Sequence, residues 1–208
     1  MTALTPGDVR MLLDAALDAI EQVLLTGDFA DPDVGAVDGV LAAPGATFVT
    51  LTRDGALLGC IGTLEAHRPL LVDAAHHAVA AAFSDPRLPA LTPSDFRRMD
   101  LEVSVLSPLE PIAARDRSDL ADAITPGRDG LLVESRRGRA TFLPSVWEQL
   151  PSVDEFLDAL WRKAGWRPGD WPADLRAARY ATEKFGDAPP RSLPRCAARP
   201  GPVASGDQ

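Results

Sequence analysis

The chain has 208 residues, of which 46% are hydrophobic, and its formal net charge is −9. A chain of this length can bury a core without disulfides, and its composition excludes wholesale disorder and a long apolar membrane span. The acidic balance also argues against nucleic acid as a partner, because a phosphate backbone requires clustered lysine and arginine. We therefore expect a globular protein that binds neither nucleic acid nor membrane. The first residues lack a basic stretch followed by an apolar one, which predicts a cytoplasmic location.

The first half of the chain is predicted to contain two helices on either side of a hairpin. Thr5 can cap a helix whose apolar residues recur at helical spacing until Gly27. The pair Asp54-Gly55 is typical of a tight turn between two strands. The predicted elements, in chain order, are a helix to Gly27, an irregular connection over 28–45, strands over 46–52 and 56–63, and an alanine-rich helix over 69–83.

The second half is predicted to add strands and shorter helices. Ser152 and Glu155 have the spacing of a capping box, which predicts a helix that Gly165 ends. Residues 175–185 fit either a strand or a helix, and we favour one strand. The predicted elements are a short helix from Thr92, a strand over 100–107, a helical turn over 119–124, strands over 131–134 and 139–143, the helix from Ser152, and the last strand. The pattern favours an α+β fold, with an antiparallel sheet and flanking helices.

The C-terminal stretch differs in composition from the rest. Residues 187–208 are rich in proline and arginine and poor in apolar side chains, so burial cannot offset the entropy of ordering them. We predict a folded domain over 1–186 and a disordered tail over 187–208. The chain has two cysteines, Cys60 and Cys196, and because Cys196 lies in this tail we expect no disulfide between them.

Several motifs in order resemble one family. They are Phe48-Val49-Thr50-Leu51, Leu58-Gly59-Cys60-Ile61-Gly62-Thr63, Ala81-Ala82-Phe83-Ser84-Asp85-Pro86-Arg87, Glu102-Val103-Ser104-Val105-Leu106 and Thr141-Phe142-Leu143-Pro144. With Lys163-Ala164-Gly165 and Trp171, the chain resembles the AmmeMemoRadiSam system protein A family, the AMME-region domain, over about residues 8–186. The family usually has arginine where this chain has Leu58, which weakens the expectation of an anionic ligand held by that arginine.

The resemblance implies a fold in two unequal subdomains. A larger one holds both termini around an antiparallel sheet, a smaller one is a helical insertion, and the cysteine motif lies near their junction. It also implies partners, a Memo-type protein and a radical SAM enzyme, through grouping in genomes. It brings no settled activity, and the sequence leaves any cofactor unidentified.

Cys60 is the candidate nucleophile, because a thiolate attacks well when a cation, a base or a helix N-terminus lowers its pKa. The alternating direction of side chains in a strand predicts Leu58, Cys60 and Gly62 on one face and Leu57, Gly59 and Ile61 on the other. Glycines on both faces allow close approach of backbone or ligand. Cys60 as a small buried hydrophobic residue is the alternative interpretation.

The remaining candidate site residues surround this strand in sequence. Glu102 is a candidate acid or base if it is buried at the junction, and a solvated residue otherwise. Candidate binding residues are Gly59, Gly62, Thr63, Asp85 and Arg87. Asp85 can alternatively bond backbone amides while Arg87 pairs with a carboxylate, which are structural roles. No metal site is expected, since adjacent histidines such as His76 and His77 point about 100° apart on a helix.

Two functions follow from the sequence. The first is an accessory or interaction protein that acts with a Memo-type or radical SAM partner. The second is a small cytoplasmic enzyme that uses Cys60 as a nucleophile at the subdomain junction.

Overall fold

Helices and antiparallel strands alternate along residues 4–190, which are the part of the chain that the computed structural model describes. The helices are α1 (Pro6–Thr26), α2 (Leu70–Phe83), α3 (Pro93–Phe96), α4 (Arg117–Asp122) and α5 (Val153–Lys163). The strands are β1 (Pro44–Gly45), β2 (Thr47–Arg53), β3 (Ala56–Gly62), β4 (Arg68–Pro69), β5 (Asp100–Leu106), β6 (Glu110–Ile112), β7 (Gly130–Ser135), β8 (Gly138–Phe142), β9 (Arg176–Tyr180) and β10 (Thr182–Asp187). Short 3-10 segments cover Val34–Ala36 and Pro144–Glu148.

The larger subdomain contains a four-stranded antiparallel sheet in the order β10-β5-β2-β3, with α1 and α2 packed on one face. Alternate residues of β2 and β5, such as Val49, Leu51 and Val103, are fully buried against these helices. Alanines of α2, such as Ala78 and Ala81, let the helix lie close to the sheet. The opposite face of the sheet carries Phe48, Thr50, Cys60 and Glu102, and Phe48 packs there with residues of the smaller subdomain.

The smaller subdomain is formed by residues 107–181 and contains a second four-stranded antiparallel sheet in the order β6-β9-β7-β8. A separate core of leucines and aromatic rings, with Phe156, Leu160 and Trp161 of α5 fully buried, packs against this sheet. The α+β class is therefore confirmed, and the insertion has a sheet of its own beside the helices that the resemblance implied.

The last strand region corrects the single element expected over 175–185. It forms two strands, β9 and β10, which belong to different sheets and are separated by Ala181. Ala181 is bonded to the point where the chain enters the insertion: its carbonyl accepts from the Ser107 amide at 2.9 Å, and its amide donates to the Ser107 hydroxyl at 3.0 Å. The entry and exit of the insertion therefore lie side by side.

A β-bulge corrects the predicted faces of β3. Cys60 pairs with Thr50 and Gly59 with Leu51, but Leu57 pairs with Thr52, so one extra residue enters β3 at Leu58. Leu57 consequently shares the Cys60 face, and Leu58 packs against the larger core. The side chain that replaces the family's arginine therefore points away from the Cys60 face.

The N-terminus of α5 also differs from expectation. The helix begins after Ser152 as predicted, but the Ser152 side chain makes no capping hydrogen bond. By contrast, Thr5 and Asp8 form the full reciprocal capping box at the start of α1. Asp154 and Glu155 in the first turn of α5 still favour this helix end through the helix dipole.

The predicted tail is described only at its beginning. Strand β10 ends at Asp187, and residues 191–208, with Cys196, lie outside the described residues. No helix within residues 4–190 combines the length and the apolar character that a membrane crossing needs.

Candidate binding site at the subdomain junction

Cys60 lies near the end of β3, on the face of the larger sheet that is turned away from α1 and α2. Its side chain is partly exposed, and its sulfur accepts a hydrogen bond from the Thr50 hydroxyl across the strand pair at 3.4 Å. Glu102 follows in the same row on β5 because it pairs with Thr50. Two strand spacings, about 9–10 Å, separate Cys60 from Glu102. The sheet therefore holds the thiol in a row of polar side chains.

The backbone of Cys60 is held by Asp85 and Arg87. The Cys60 amide donates to the Asp85 carboxylate at 3.0 Å, and the Arg87 guanidinium donates to the Cys60 carbonyl at 3.1 Å. The Arg87 guanidinium also donates two hydrogen bonds to the Asp85 carboxylate, at 2.7 and 2.9 Å, and the Arg87 backbone amide donates to the same carboxylate at 3.1 Å. We call this arrangement of Cys60, Asp85 and Arg87 the clasp.

The clasp forms because the chain cannot continue as a helix past α2. Pro86 disfavours the α region for Asp85, so the chain turns away after Phe83 and brings Asp85 to β3. The hydrogen bonds from the Arg87 side chain, and to a smaller extent the bond from the Cys60 amide, hold the pKa of Asp85 well below its usual range. The Asp85 carboxylate in turn raises the pKa of Arg87. Asp85 is only 2% exposed, so its charge depends on these partners.

The two glycines beside Cys60 are required by close contacts. A methyl group on Gly59 would overlap the backbone carbonyl of Ala81 in α2, and one on Gly62 would overlap the Phe48 ring and the Thr47 carbonyl. Gly59 therefore lets α2 approach the sheet from one side. Gly62 leaves room for Phe48 on the other side, where the sheet meets the smaller subdomain.

A cleft of about 340 Å³ lies at this meeting point, and we call it the junction cleft. Its walls come from both subdomains and consist of Phe48, Gly62, Thr63, Leu64, Leu132, Arg139, Ala140, Thr141 and Lys163. An ion pair between Arg139 and Glu65, 2.8 Å long, joins the two subdomains at its side. Pockets at such junctions are common binding places.

Lys163, the last residue of α5, supplies an ammonium group to the junction cleft. Its Nζ donates to the Thr141 carbonyl at 2.9 Å and lies 5.0 Å from the centre of the Phe142 ring. Burial and the nearby charge of Arg87 lower the pKa of Lys163, while Cys60 acts in the opposite direction. Charges from both subdomains therefore act on one another across the cleft.

The structure brings most of the predicted site residues together. Gly59, Cys60 and Gly62 lie in β3, Thr63 follows directly after it, and the clasp adds Asp85 and Arg87. Thr63 donates its amide to the Thr47 carbonyl at 3.0 Å and accepts the Glu65 amide with its hydroxyl at 3.1 Å.

Other candidate residues lie apart from this group. Glu102 pairs with Lys184 at 3.2 Å and is 41% exposed, so it is neither buried nor in contact with Cys60. The histidines of the chain, His67, His76 and His77, pair with three separate carboxylates. Within residues 4–190, no group of three or more histidine, cysteine or acidic side chains is arranged to hold a metal ion.

Sequence reasoning missed Lys163 as a site residue, because a lysine at a helix end is already explained by the helix dipole. The one available signal was the rarity of lysine in this chain. Of its 21 lysines and arginines, only Lys163 and Lys184 are lysines.

Comparison with known proteins places this fold in a family. The family model AMMECR1 matches residues 13–185, which is most of the chain. The chain belongs to the AMMECR1 family. The AMMECR1 match confirms the resemblance to AmmeMemoRadiSam system protein A.

Relatives of this chain come from several organisms. A protein of Methanothermobacter thermautotrophicus is 35% identical over 182 residues, covering 85% of this chain and 88% of that protein. One of Thermotoga maritima is 33% identical over 172 residues, covering 82% and 94%. One of Thermofilum pendens is 38% identical over 141 residues, covering 65% of this chain and 64% of that protein. A crystal structure of an uncharacterized protein from Pyrococcus horikoshii is similar with a TM-score of 0.78 and 32% identity, covering 87% and 92%.

Proposed function

We propose that this AMMECR1-family protein is an accessory protein that binds a Memo-type or radical SAM partner through the junction cleft. The observation that carries the proposal is the clasp. It bonds both backbone groups of Cys60, while the sulfur accepts from Thr50. These bonds hold the end of β3 in place beside the cleft residues Gly62 and Thr63. A preorganised wall loses little conformational entropy on binding, which favours recognition.

The location of the cleft supports the same proposal. Its walls come from two subdomains that are joined by the Glu65–Arg139 ion pair and by the adjacent chain connections at Ser107 and Ala181. A partner that contacts both walls would therefore recognise the assembled molecule. The two partner classes are those implied by the family resemblance.

The test is complex formation between this protein and a Memo-type protein or a radical SAM enzyme from the same genome. Sedimentation velocity of the purified pairs should show a complex with at least one of them. Thr63→Arg, which fills the cleft, should weaken this complex at least about tenfold. Leu25→Arg adds the same charge to an exposed position on α1 and serves as the matched control.

Two outcomes would contradict the proposal. One is the failure of both partner classes to form a complex with the full chain. The other is equal weakening by Thr63→Arg and Leu25→Arg, which would indicate an effect of charge alone.

A second candidate, an enzyme that uses Cys60 as nucleophile, is favoured by one observation. The thiol is partly exposed, and two cations lie near it: the Arg87 guanidinium donates to the Cys60 carbonyl, and Lys163 lies in the adjoining cleft. Neighbouring cations are a feature of reactive cysteines.

Alkylation of the folded protein tests this second candidate. A reactive Cys60 should be modified by iodoacetamide at neutral pH faster than Cys196, which serves as the internal control because its segment is predicted to be disordered. Mass spectrometry of peptides from the quenched protein measures both rates. A Cys60 that stays unmodified until denaturant is added, while Cys196 reacts, would remove the enzyme candidate.

A further inference from the structure

Lys163 is a cation of the junction cleft without a carboxylate partner among residues 4–190. None of the ion pairs formed within this part of the chain includes it, and its hydrogen bond goes to the neutral carbonyl of Thr141. The other lysine, Lys184, is paired with Glu102 at 3.2 Å. Lys184 therefore has a carboxylate partner, and Lys163 has none among residues 4–190.

The neighbouring cations already have carboxylate partners. Arg139 is bonded to Glu65 at 2.8 Å and lies 3.5 Å from Glu134. Arg87 is bonded to Asp85 at 2.7 Å. Positive charge is therefore in excess at the Lys163 end of the cleft.

The surroundings of Lys163 disfavour an isolated ammonium. Burial and the charge of Arg87 both lower its pKa. A negative group in the cleft would reverse these effects, since opposite charges at about 4–6 Å favour the ionised form. The site therefore has an electrostatic reason to take up an anion.

The cleft also has the room and a second donor. Its volume of about 340 Å³ corresponds to roughly ten water molecules, at about 30 Å³ each. The Thr63 hydroxyl, which lines the cleft from the larger subdomain, accepts the Glu65 amide and keeps its own hydrogen free to donate. The cleft therefore offers a second donor to an oxygen-bearing group.

We propose that Lys163, with the Thr63 hydroxyl, binds an oxyanion group, a carboxylate or a phosphate, in the junction cleft. The inference rests on the proposed function only for the location of the binding place. In a partner, the group would be an acidic or phosphorylated side chain. In a small ligand, it would be the acidic end of the molecule.

The two lysines allow a direct test in the full chain. Labelling lysine alone with ¹³C gives two Cε signals, assigned with Lys184→Arg. Sodium phosphate and sodium acetate are each titrated at constant ionic strength set with sodium chloride. We expect a saturable shift of the Lys163 signal in the millimolar range and no comparable shift of Lys184. A response to both probes indicates a site for oxyanions in general, and a response to one alone identifies the carboxylate or phosphate class.

Variants separate binding from folding. The amide signals of Gly62 and Thr63 should move with the same anion in the wild type and in Lys163→Arg. Lys163→Gln should weaken this response at least about tenfold, and Lys184→Gln should leave it unchanged. The dispersion of the amide spectrum shows whether each variant is folded.

The proposal would be overturned by shifts of both lysines that are equal and do not saturate, or by no shift of Lys163 with either probe. It would also be overturned if Lys163→Gln bound as well as the wild type. No partner protein is present in this experiment, so its failure leaves the test of partner binding intact. Loss of partner binding would likewise leave the anion result standing.

Discussion

Gly59 shows how a single missing side chain sets the distance between α2 and the sheet. Replacing Gly59 with alanine places a methyl group on the Ala81 carbonyl, and backbone atoms cannot rotate away as a side chain can. We expect Gly59→Ala to lower the free energy of unfolding by about 1–3 kcal/mol through overpacking. Urea unfolding followed by tryptophan fluorescence measures this change.

Gly186 provides the control for that substitution. It also lies in a strand of the larger sheet, but a methyl group there would meet its nearest neighbour, the Leu101 carbonyl, at an ordinary 3.6 Å. Gly186→Ala should stay within about 0.5 kcal/mol of the wild type. Equal effects of Gly59→Ala and Gly186→Ala would show that α2 can move away from β3 at little cost.

Asp85 makes the clasp dependent on pH. The folded-state pKa of Asp85 is lowered, and its unfolded value is about 3.9, so the carboxylate adds stability above about pH 4. That contribution is lost as the pH falls through the folded-state pKa. We expect Asp85→Asn to unfold at lower urea concentration at pH 7, because Asn pairs poorly with Arg87, and the gap to the wild type to narrow below about pH 4.

Asp14→Asn is the control for this pH series, because Asp14 is 45% exposed and forms an exposed i,i+4 pair with Arg10. Its stability should follow the wild type at both ends of the range. A difference between Asp85→Asn and the wild type that is the same at pH 3 and pH 7 would contradict the assignment of the clasp to the ionised carboxylate.

At the scale of the element, the starts of α1 and α5 look alike in sequence and differ in structure. Thr5 and Asp8 bond each other's backbone amides, whereas the Ser152 side chain makes no capping bond. We expect Thr5→Ala to lower the free energy of unfolding by about 1 kcal/mol, and Ser152→Ala to lower it by less than about 0.5 kcal/mol. Thermal unfolding of the two variants measures the difference, and an equal loss would mean that Ser152 caps α5 in solution.

The sequence predicted those elements whose signals are local. Thr5 and Gly27 mark the ends of α1, and the Asp54-Gly55 turn has both residues at positive φ, as a tight hairpin requires. The bulge at Leu58 was not predicted, because it depends on the pairing of β3 with β2 and on packing of Leu58 in the core. The split at Ala181 was missed for the same reason: residues 175–185 contain no turn signal, and only the two partner strands decide where one sheet ends.

In the candidate site, too, the residues with local signals could be predicted and the contacts between distant segments could not. Gly59, Cys60 and Gly62 could be named because they form one short motif along a strand. Asp85 and Arg87 could be named as a pair, but their bonds to Cys60 depend on the turn of the chain after α2. Lys163 comes from the other subdomain, and no local pattern indicates that α5 ends beside β3.

At the scale of the whole molecule, Tyr180 joins the two subdomains. It is 1% exposed, packs with Ala46 and Leu106 of the larger subdomain, and its hydroxyl is bonded to Thr141 at 2.7 Å and to the Phe142 carbonyl at 3.1 Å. Burial raises the pKa of Tyr180 to about 12, and the Thr141 bond opposes this shift only in part.

Tyr180 is the single tyrosine of the chain, so tyrosinate absorbance reports its ionisation directly. We expect a midpoint of about 12 in the folded protein and of about 10 in urea. Because the folded-state pKa is raised, the contribution to stability is complete below pH 10 and is lost as the pH rises toward 12.

Tyr180→Phe should remove this loss of stability at high pH. At pH 7 it should lower the free energy of unfolding by about 1 kcal/mol, because the Phe142 carbonyl loses its hydrogen-bond donor. A wild-type midpoint near 10 under folding conditions would mean that the junction admits water to this hydroxyl.

The position of β10 has a consequence for synthesis on the ribosome. The smaller subdomain has all four of its strands once Tyr180 has been synthesised. The sheet of the larger subdomain still lacks its edge strand β10, which ends at Asp187. The inserted unit, although it comes later in the chain, is thus complete before the unit that surrounds it. Until residues 182–187 arrive, β5 presents an unpaired edge to solvent, and a nascent chain stalled at that point would be exposed to strand addition by other polypeptides.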